Sequence, residues 1–174
     1  VFGNGGDQAV AAVIGPRGKA VRRSDGTYLL SGFWPFASGN AASEWMLLGS
    51  EIFDEKGEKL DDGDLLVSKA DLEVLDDWHV AGLQGTGSSS VKCTNLVVPA
   101  HRFLSLSALL ENQTTPYTDP DAPTIFKSQA GPVLGLCIAS GATGVARAAL
   151  EEFIRVVPNK PVMYTAHITH QWTP

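Results

Sequence analysis

The sequence predicts an α+β chain: an antiparallel β-sandwich or barrel over residues 9–98, then one long helix over 128–157. Two observations carry this. Residues 9–98 hold about seven short apolar runs, each bounded by Gly, Pro, Asn, Asp or Ser turn signals. After Pro99 the texture changes, and from Ser128 onward the apolar residues recur at a helical period: Leu134, Ile138, Ala142, Val145, Ala149 and Phe153 share one face. With 174 residues and 44% hydrophobic content the chain can bury a core and suits one domain, or one domain with part of another.

Residues 1–8 are Gly/Asn-rich and read as loop. Gly3-x-Gly5-Gly6 lacks the strand–turn–helix setting of a phosphate-binding loop. Residues 9–14 form a short apolar strand that Gly15-Pro16 ends. Residues 19–24 lead into Asp25-Gly26, a hairpin signal, with Lys19, Arg22 and Arg23 on a solvated face.

The next strand opens at Tyr28-Leu29-Leu30 and is predicted to run to Ser38-Gly39. It holds three aromatics in four residues, Phe33-Trp34-Pro35-Phe36, then a small hydroxyl residue and a glycine. Such a strand is either core with a glycine turn, or a flat surface beside a backbone edge that suits a planar ligand. Residues 45–53 form another strand. The charged stretch 54–64 reads as a solvated hairpin tip, since its carboxylates lack calcium-loop spacing.

Residues 65–68 and 72–75 are short strands around a turn. His79, between Trp78 and Val80, is a structural histidine or an acid–base group. Gly85-Thr86-Gly87-Ser88-Ser89-Ser90 leads into the strand 91–98 and lacks the Gly-Lys-Ser/Thr of a P-loop. Pro99 ends the sheet pattern.

Residues 112–124 are a Pro/Thr/Asp linker. In the helix, Pro132 is tolerable only in the opening turns, and Arg147/Glu151 and Glu151/Arg155 are spaced to pair. Gly131, Gly135, Gly141 and Gly144 favour close approach of a neighbouring helix. Pro158-Asn159-Lys160-Pro161 stops the helix. His167 and His170 stand at i,i+3, with no third ligand beside them, so they read as surface.

The net charge of −6 and the scattered Lys and Arg exclude a nucleic-acid footprint. Cys93 and Cys137 lie in apolar contexts and read as free thiols of a reducing compartment. The apolar runs are short and interrupted, so no membrane span is expected. No signal-peptide pattern opens the chain, which points to a cytoplasmic protein. The chain opens without Met at Val1-Phe2-Gly3 and reads as part of a longer protein.

Three blocks carry a resemblance. Tyr28-Leu29-Leu30-Ser31-Gly32 leads into Trp34-x-Phe36-x-Ser38-Gly39 and Ala42-Ser43-Glu44-Trp45. The second block is Asp77 to Ser88, and the third is Val97-Val98-Pro99-Ala100-His101-Arg102. In order and spacing they resemble the oxygenase components of two-component flavin-dependent monooxygenases with the acyl-CoA dehydrogenase fold, over about residues 9–157.

The resemblance implies a flavin-binding middle β domain at 1–104, and a linker with the start of a C-terminal helical domain at 105–174. The long helix then belongs to an incomplete bundle. It implies reduced FMN or FAD from a separate flavin reductase, a phenolic or polycyclic aromatic substrate, and a homodimer or homotetramer, with no nucleic-acid or membrane partner. Trp34, Pro35 and Phe36 would lay their backbone against the isoalloxazine. Ser38, the one catalytic candidate, would hydrogen-bond near its central-ring nitrogen, and Gly39 would permit the close approach. No metal is implied.

Where relatives often carry a substrate-side serine on the first strand, this chain has Ala11, Ala12 and Val13, an apolar wall. An acyl-CoA dehydrogenase is the alternative of the same fold. It is disfavoured because residues 9–16 lack that family's Thr-Glu-Pro segment, and Trp34-Pro35-Phe36-Ala37-Ser38 replaces its Trp-Ile-Thr-Asn run. A non-enzymatic β-rich binding module is the other alternative.

Overall fold

A computed structural model describes residues 8–111, 121, 123–124, 128, 130–161 and 163–164. The chain falls into two units, Val1–Thr115 and Pro116–Pro174. The Gly3-x-Gly5-Gly6 stretch, most of the 112–124 linker and the His167/His170 pair lie outside the described residues.

The first unit holds β1 (Val10–Arg22), β2 (Tyr28–Trp34), β3 (Trp45–Phe53), β4 (Lys59–Ser68), β5 (Glu73–Val74), β6 (Val91–Val98), β7 (Phe103–Ser105) and a short helix α1 (Leu106–Leu110). They build one seven-stranded sheet in the order β5-β6-β2-β1-β3-β4-β7. The expected Asp25-Gly26 hairpin joins β1 to β2. The Asp25 carboxylate accepts from the Thr27 N–H at 2.8 Å and hydroxyl at 2.6 Å.

The sheet is mixed, which corrects the antiparallel expectation: β1 and β3 run parallel, Val10 opposite Trp45 and Val13 opposite Leu48. Short turns favour antiparallel neighbours. Residues 35–44, however, are long enough to carry the chain past the edge that β2 already occupies and onto the far side of β1.

The sheet is also rolled. Tyr28 on β2 and Phe103 on β7 bring their ring centroids to 5.0 Å although their strands stand four places apart. A flat sheet with roughly 4.8 Å between strands would separate them by about 19 Å. The roll encloses Leu30, Trp34, Met46, Leu48, Leu65 and Val67, each wholly or almost wholly buried.

Four boundaries differ from the sequence reading. Gly15-Pro16 does not end β1. The strand continues through a register shift between Val13 and Gly18, where a proline without an N–H does no harm to the ladder. β2 ends at Trp34 rather than Ser38-Gly39, because Pro35 removes the next donor. Only residues 54–58 form the hairpin tip, since 59–64 belong to β4.

There Asp64 is buried with one carboxylate oxygen lacking a hydrogen-bond partner, and burial pushes its pKa up to about 6. Pro99 does not close the sheet either, as β7 pairs with β4 after it.

In the second unit α2 spans Ala130–Val156 and ends in a 3-10 turn, Val157–Asn159, that contains Pro158. Arg147 pairs with Glu151 as its spacing predicts, at 2.7 Å. Arg155 instead grips Glu152 with two nitrogens, at 2.6 and 2.8 Å. Leu134, Ile138, Val145 and Phe153 are exposed along one face. Leu136, Leu150 and Ile154 are exposed along nearly the opposite one. Contrary to the sequence expectation, Gly131–Val156 is long and apolar enough, by length and composition alone, to cross a membrane. Both cysteines are free; Cys93 is half-buried, and Cys137 is exposed on α2.

Candidate functional site

The aromatic run divides at the end of β2. The Trp34 ring lies inside the roll against Gly18 and Gly32, where a Cβ on either glycine would overlap it, and its indole N–H donates to the Gly49 carbonyl at 2.7 Å. The whole residue, backbone included, is buried. Phe33 and Phe36 turn outward, 48% and 68% exposed. Phe36 takes the left-handed region, φ 56°, which is uncommon for a bulky residue.

Past Pro35, the Ser38 N–H donates to the Phe36 carbonyl at 2.8 Å, and the chain tightens around Ala37. Gly39 follows at φ 83°. A Cβ there would rest 3.6 Å from the Ala11 Cβ, so the loop lies on the start of β1. The backbone N–H groups of Glu44 and Trp45 donate to the Ala9 carbonyl at 3.2 and 3.3 Å. Of the expected apolar wall, Ala11 is buried under this loop, Val13 is half-buried and Ala12 is exposed.

A second loop, residues 75–90, meets the first. Trp78 stands edge-on to Phe36, with centroids 5.8 Å apart, and donates its indole N–H to the Leu83 carbonyl at 3.2 Å. Leu83 is left-handed as well, φ 57°, and 79% exposed. The Thr86 hydroxyl donates to that same carbonyl at 2.9 Å. Thr86 Oγ1 lies 2.9 Å from Ser88 Oγ, and Ser88 Oγ lies 2.8 Å from Ser38 Oγ.

Asn40 locks the two loops together. It is buried, and its side-chain nitrogen donates to the carbonyls of Ala37 (2.8 Å), Gly87 (3.1 Å) and Ser89 (3.2 Å), while its backbone carbonyl accepts from Lys69 Nζ at 2.7 Å. Asp77 ties the base of the second loop. Its carboxylate accepts from the Ser90 N–H at 2.8 Å, and hydrogen bonding from Ser90 holds its pKa below the usual carboxylate range. His79 is exposed, with Nε2 3.2 Å from the Asp76 carbonyl, and takes no part in the hydroxyl row.

The structure thus brings Phe36 and Ser38 beside Trp78, Leu83, Thr86 and Ser88. The result is an apolar, partly aromatic surface next to a hydroxyl row, a pairing that suits a flat ligand with apolar faces and a polar edge. Two bulky left-handed residues in one cluster mark stored backbone strain, which gathers at ligand sites. Sequence reasoning missed Asn40 and the partnership of Ser38 with Ser88. The one available signal was the density of small hydroxyl residues in both loops.

No family model matches the chain. Over 171 residues, 98% of its length, it is 30% identical to the flavin-dependent monooxygenase oxygenase subunit HsaA of Rhodococcus jostii, of which it covers 40%. It is 29% identical over 136 residues, 78% of its length, to the oxygenase component of the FADH2-dependent resorcinol hydroxylase of a Rhizobium species, of which it covers 33%. Among solved structures, XiaF from a Streptomyces species, in complex with FADH2 and glycerol, matches 98% of the chain with a TM-score of 0.79 and 30% identity, over 42% of its own length.

The chain is related to the oxygenase components of flavin-dependent monooxygenases. It spans about two fifths of the length of the HsaA oxygenase subunit. The 3-HSA hydroxylase of Rhodococcus sp. RHA1 matches 75% of the chain, with a TM-score of 0.67 and 32% identity, over 33% of its own length.

Proposed function

We propose that the protein is the oxygenase component of a two-component monooxygenase. It would take reduced FMN or FAD from a separate reductase and hydroxylate a phenolic or polycyclic aromatic substrate. The observation that carries this is the meeting of the two loops. In a chain related to flavin-dependent oxygenases, an outward hydroxyl, Ser38, stands beside the exposed Phe36–Leu83 surface.

These residues fit the cofactor. An isoalloxazine is flat and apolar on its faces and polar along its edge, and the site offers apolar side chains and a hydroxyl in matching proximity. When bound, reduced flavin supplies the activation of oxygen. The backbone of Pro35 and Phe36, with Gly39 allowing close approach, positions the ring, and buried Trp34 anchors the strand end behind them. Phe36, Trp78 and Leu83 keep water from one side, and Ser38 holds a proton at the central ring.

The two units are read as the middle β domain and the opening helix of the bundle in an acyl-CoA dehydrogenase-like fold. The two apolar faces of α2 support this, because such a helix needs cover on both sides. The same bundle would join subunits into a homodimer or homotetramer. The unpaired cysteines suit a cytoplasmic setting. The monooxygenase and hydroxylase names of the relatives described above favour oxygenation over acyl-CoA oxidation.

The test uses the full-length protein. Reduced FMN and FAD are titrated anaerobically, then oxygen and a panel of phenols are added. Tight binding of one reduced flavin and hydroxylated product are expected. Failure to bind either reduced flavin would overturn the reading.

A further inference from the structure

We propose that Lys69 is a positioning residue for the flavin site: by bonding the backbone of Asn40 and Glu44 it holds the loop that carries Ser38 in place against the second loop, and so keeps oxygen use coupled to hydroxylated product. This rests on the flavin reading above.

Lys69 opens the 3-10 turn Lys69–Asp71 that follows β4, and Ser68 caps that turn by accepting from the Ala70 N–H at 3.3 Å. From there one residue grips the first loop twice. Its ammonium donates to the Asn40 backbone carbonyl at 2.7 Å, and its N–H donates to the Glu44 carbonyl at 2.9 Å. Asn40 and Glu44 bound the stretch that leads the chain from Ser38-Gly39 into β3.

The ammonium is the main partner of the Asn40 oxygen. Ser43 reaches the same oxygen with its N–H and its hydroxyl, each at 3.4 Å, near the limit of a useful bond. A charged donor at 2.7 Å is the stronger contact. Packing adds little on this side, because the loop presents Ala41 and Ala42, both exposed, to an open groove with Ala70 among its other walls. Side chains this small make few contacts, so the loop's position depends on its hydrogen bonds.

Asn40 is where Lys69 and the two loops meet. Its side chain faces Gly87 and Ser89, and its backbone is held by Lys69. At the other end Glu44 is tied to β1, since its carboxylate accepts from the Ala9 N–H at 2.9 Å. A shift of Asn40 relative to β4 therefore carries Ser38, two residues earlier, relative to Trp78, Leu83 and Ser88. A displacement of about 1 Å in such a site costs up to a hundredfold in rate. Lys69 exerts this control from outside the site, through Asn40.

The test uses the full-length protein with Lys69→Met, which keeps the apolar stem, and Lys69→Arg, which keeps a charged donor. Two readouts are taken, with melting curves as the folding control. The first needs no flavin: amide hydrogen exchange at Asn40 and Ala42 should be roughly tenfold faster in Lys69→Met and near wild type in Lys69→Arg. The second is product and hydrogen peroxide per oxygen consumed, with reduced FMN or FAD and the panel of phenols. Lys69→Met should bind reduced flavin within a few-fold of wild type and release several-fold more peroxide per product, and Lys69→Arg should restore the ratio. Because Lys69 acts through the Ser38 loop, Lys69→Met/Ser38→Ala should release no more peroxide than Ser38→Ala alone.

Faster exchange in Lys69→Met with an unchanged product-to-peroxide ratio makes the bond structural only and overturns the inference, while the flavin reading stands. Unchanged exchange, failure of Lys69→Arg to restore the ratio, or a double variant worse than Ser38→Ala also overturns it. Lys69→Gln, a shorter neutral donor, gives the same comparison should Lys69→Met fold poorly, and wild-type coupling in that variant overturns the inference as well. Wild-type protein that binds neither reduced flavin overturns the flavin reading and this inference with it.

Discussion

The side-chain nitrogen of Asn40 lies 3.1 Å from the carbonyl oxygen of Gly87, joining loops 47 positions apart in the chain. Asn40→Ala removes this bond and those to Ala37 and Ser89, leaving the Gly87 and Ser89 carbonyls in a half-buried seam without this donor. The expected cost is about 1–3 kcal/mol, read as a lower denaturant midpoint with an unchanged slope. A variant as stable as wild type would show that the seam does not depend on this side chain.

Trp34 predicts a larger loss of a different kind. Its ring is fully buried between two glycines, so Trp34→Ala opens a cavity the backbone cannot collapse into, at roughly 3–5 kcal/mol. Trp34→Phe should cost less, while leaving the Gly49 carbonyl without its indole partner. Equilibrium unfolding ranks the three proteins, and equal losses for Ala and Phe would contradict the cavity account.

Ser38→Ala should bind reduced flavin within a few-fold of wild type and lose coupling. A missing hydrogen bond of about 1–2 kcal/mol corresponds to roughly a tenfold rise in hydrogen peroxide released per hydroxylated product. Product and peroxide measured per oxygen consumed decide the matter. If Ser38 only shapes the turn, the melting temperature falls and the ratio stays put.

Asp64 gives a pH prediction. Its folded pKa of about 6 lies above the ordinary value of 3.8, so the folded protein holds the proton over a range where the unfolded chain has lost it. This residue's contribution therefore falls as pH rises from about 4 to about 6, and is constant above that. Asp64→Asn should melt above wild type at pH 7, with the gap closing as pH drops towards 4. A gap that is absent at pH 7, or independent of pH, would refute this.

Legibility in the sequence followed locality. The Asp25-Gly26 hairpin, the strand at 45–53 and the helix from 130 rest on neighbours a few positions apart, and the pattern showed them. The first half of β4 was hidden because its inward series includes Gly63, and the space a side chain would fill there is taken by the Phe103 ring, 40 positions later. The parallel pairing of β1 with β3 was equally hidden, since periodicity carries no strand direction. Ser38 stood out only through the family's motif. Its partners Ser88 and Thr86, and the clasp at Asn40, come from a meeting of two loops that the sequence marks only by their density of small hydroxyl residues.

The crossing of β1 by residues 35–44 has an engineering consequence. Because β1 stands between β2 and β3, this segment must bridge two strand spacings, roughly 10 Å, and it carries Ser38 on the way. The site is thereby tied to connectivity, and a graft that joined β2 to β3 by a tight hairpin would leave the hydroxyl nowhere to stand. The 54–58 turn links adjacent strands and bears no such duty, so an inserted tag or reporter belongs there.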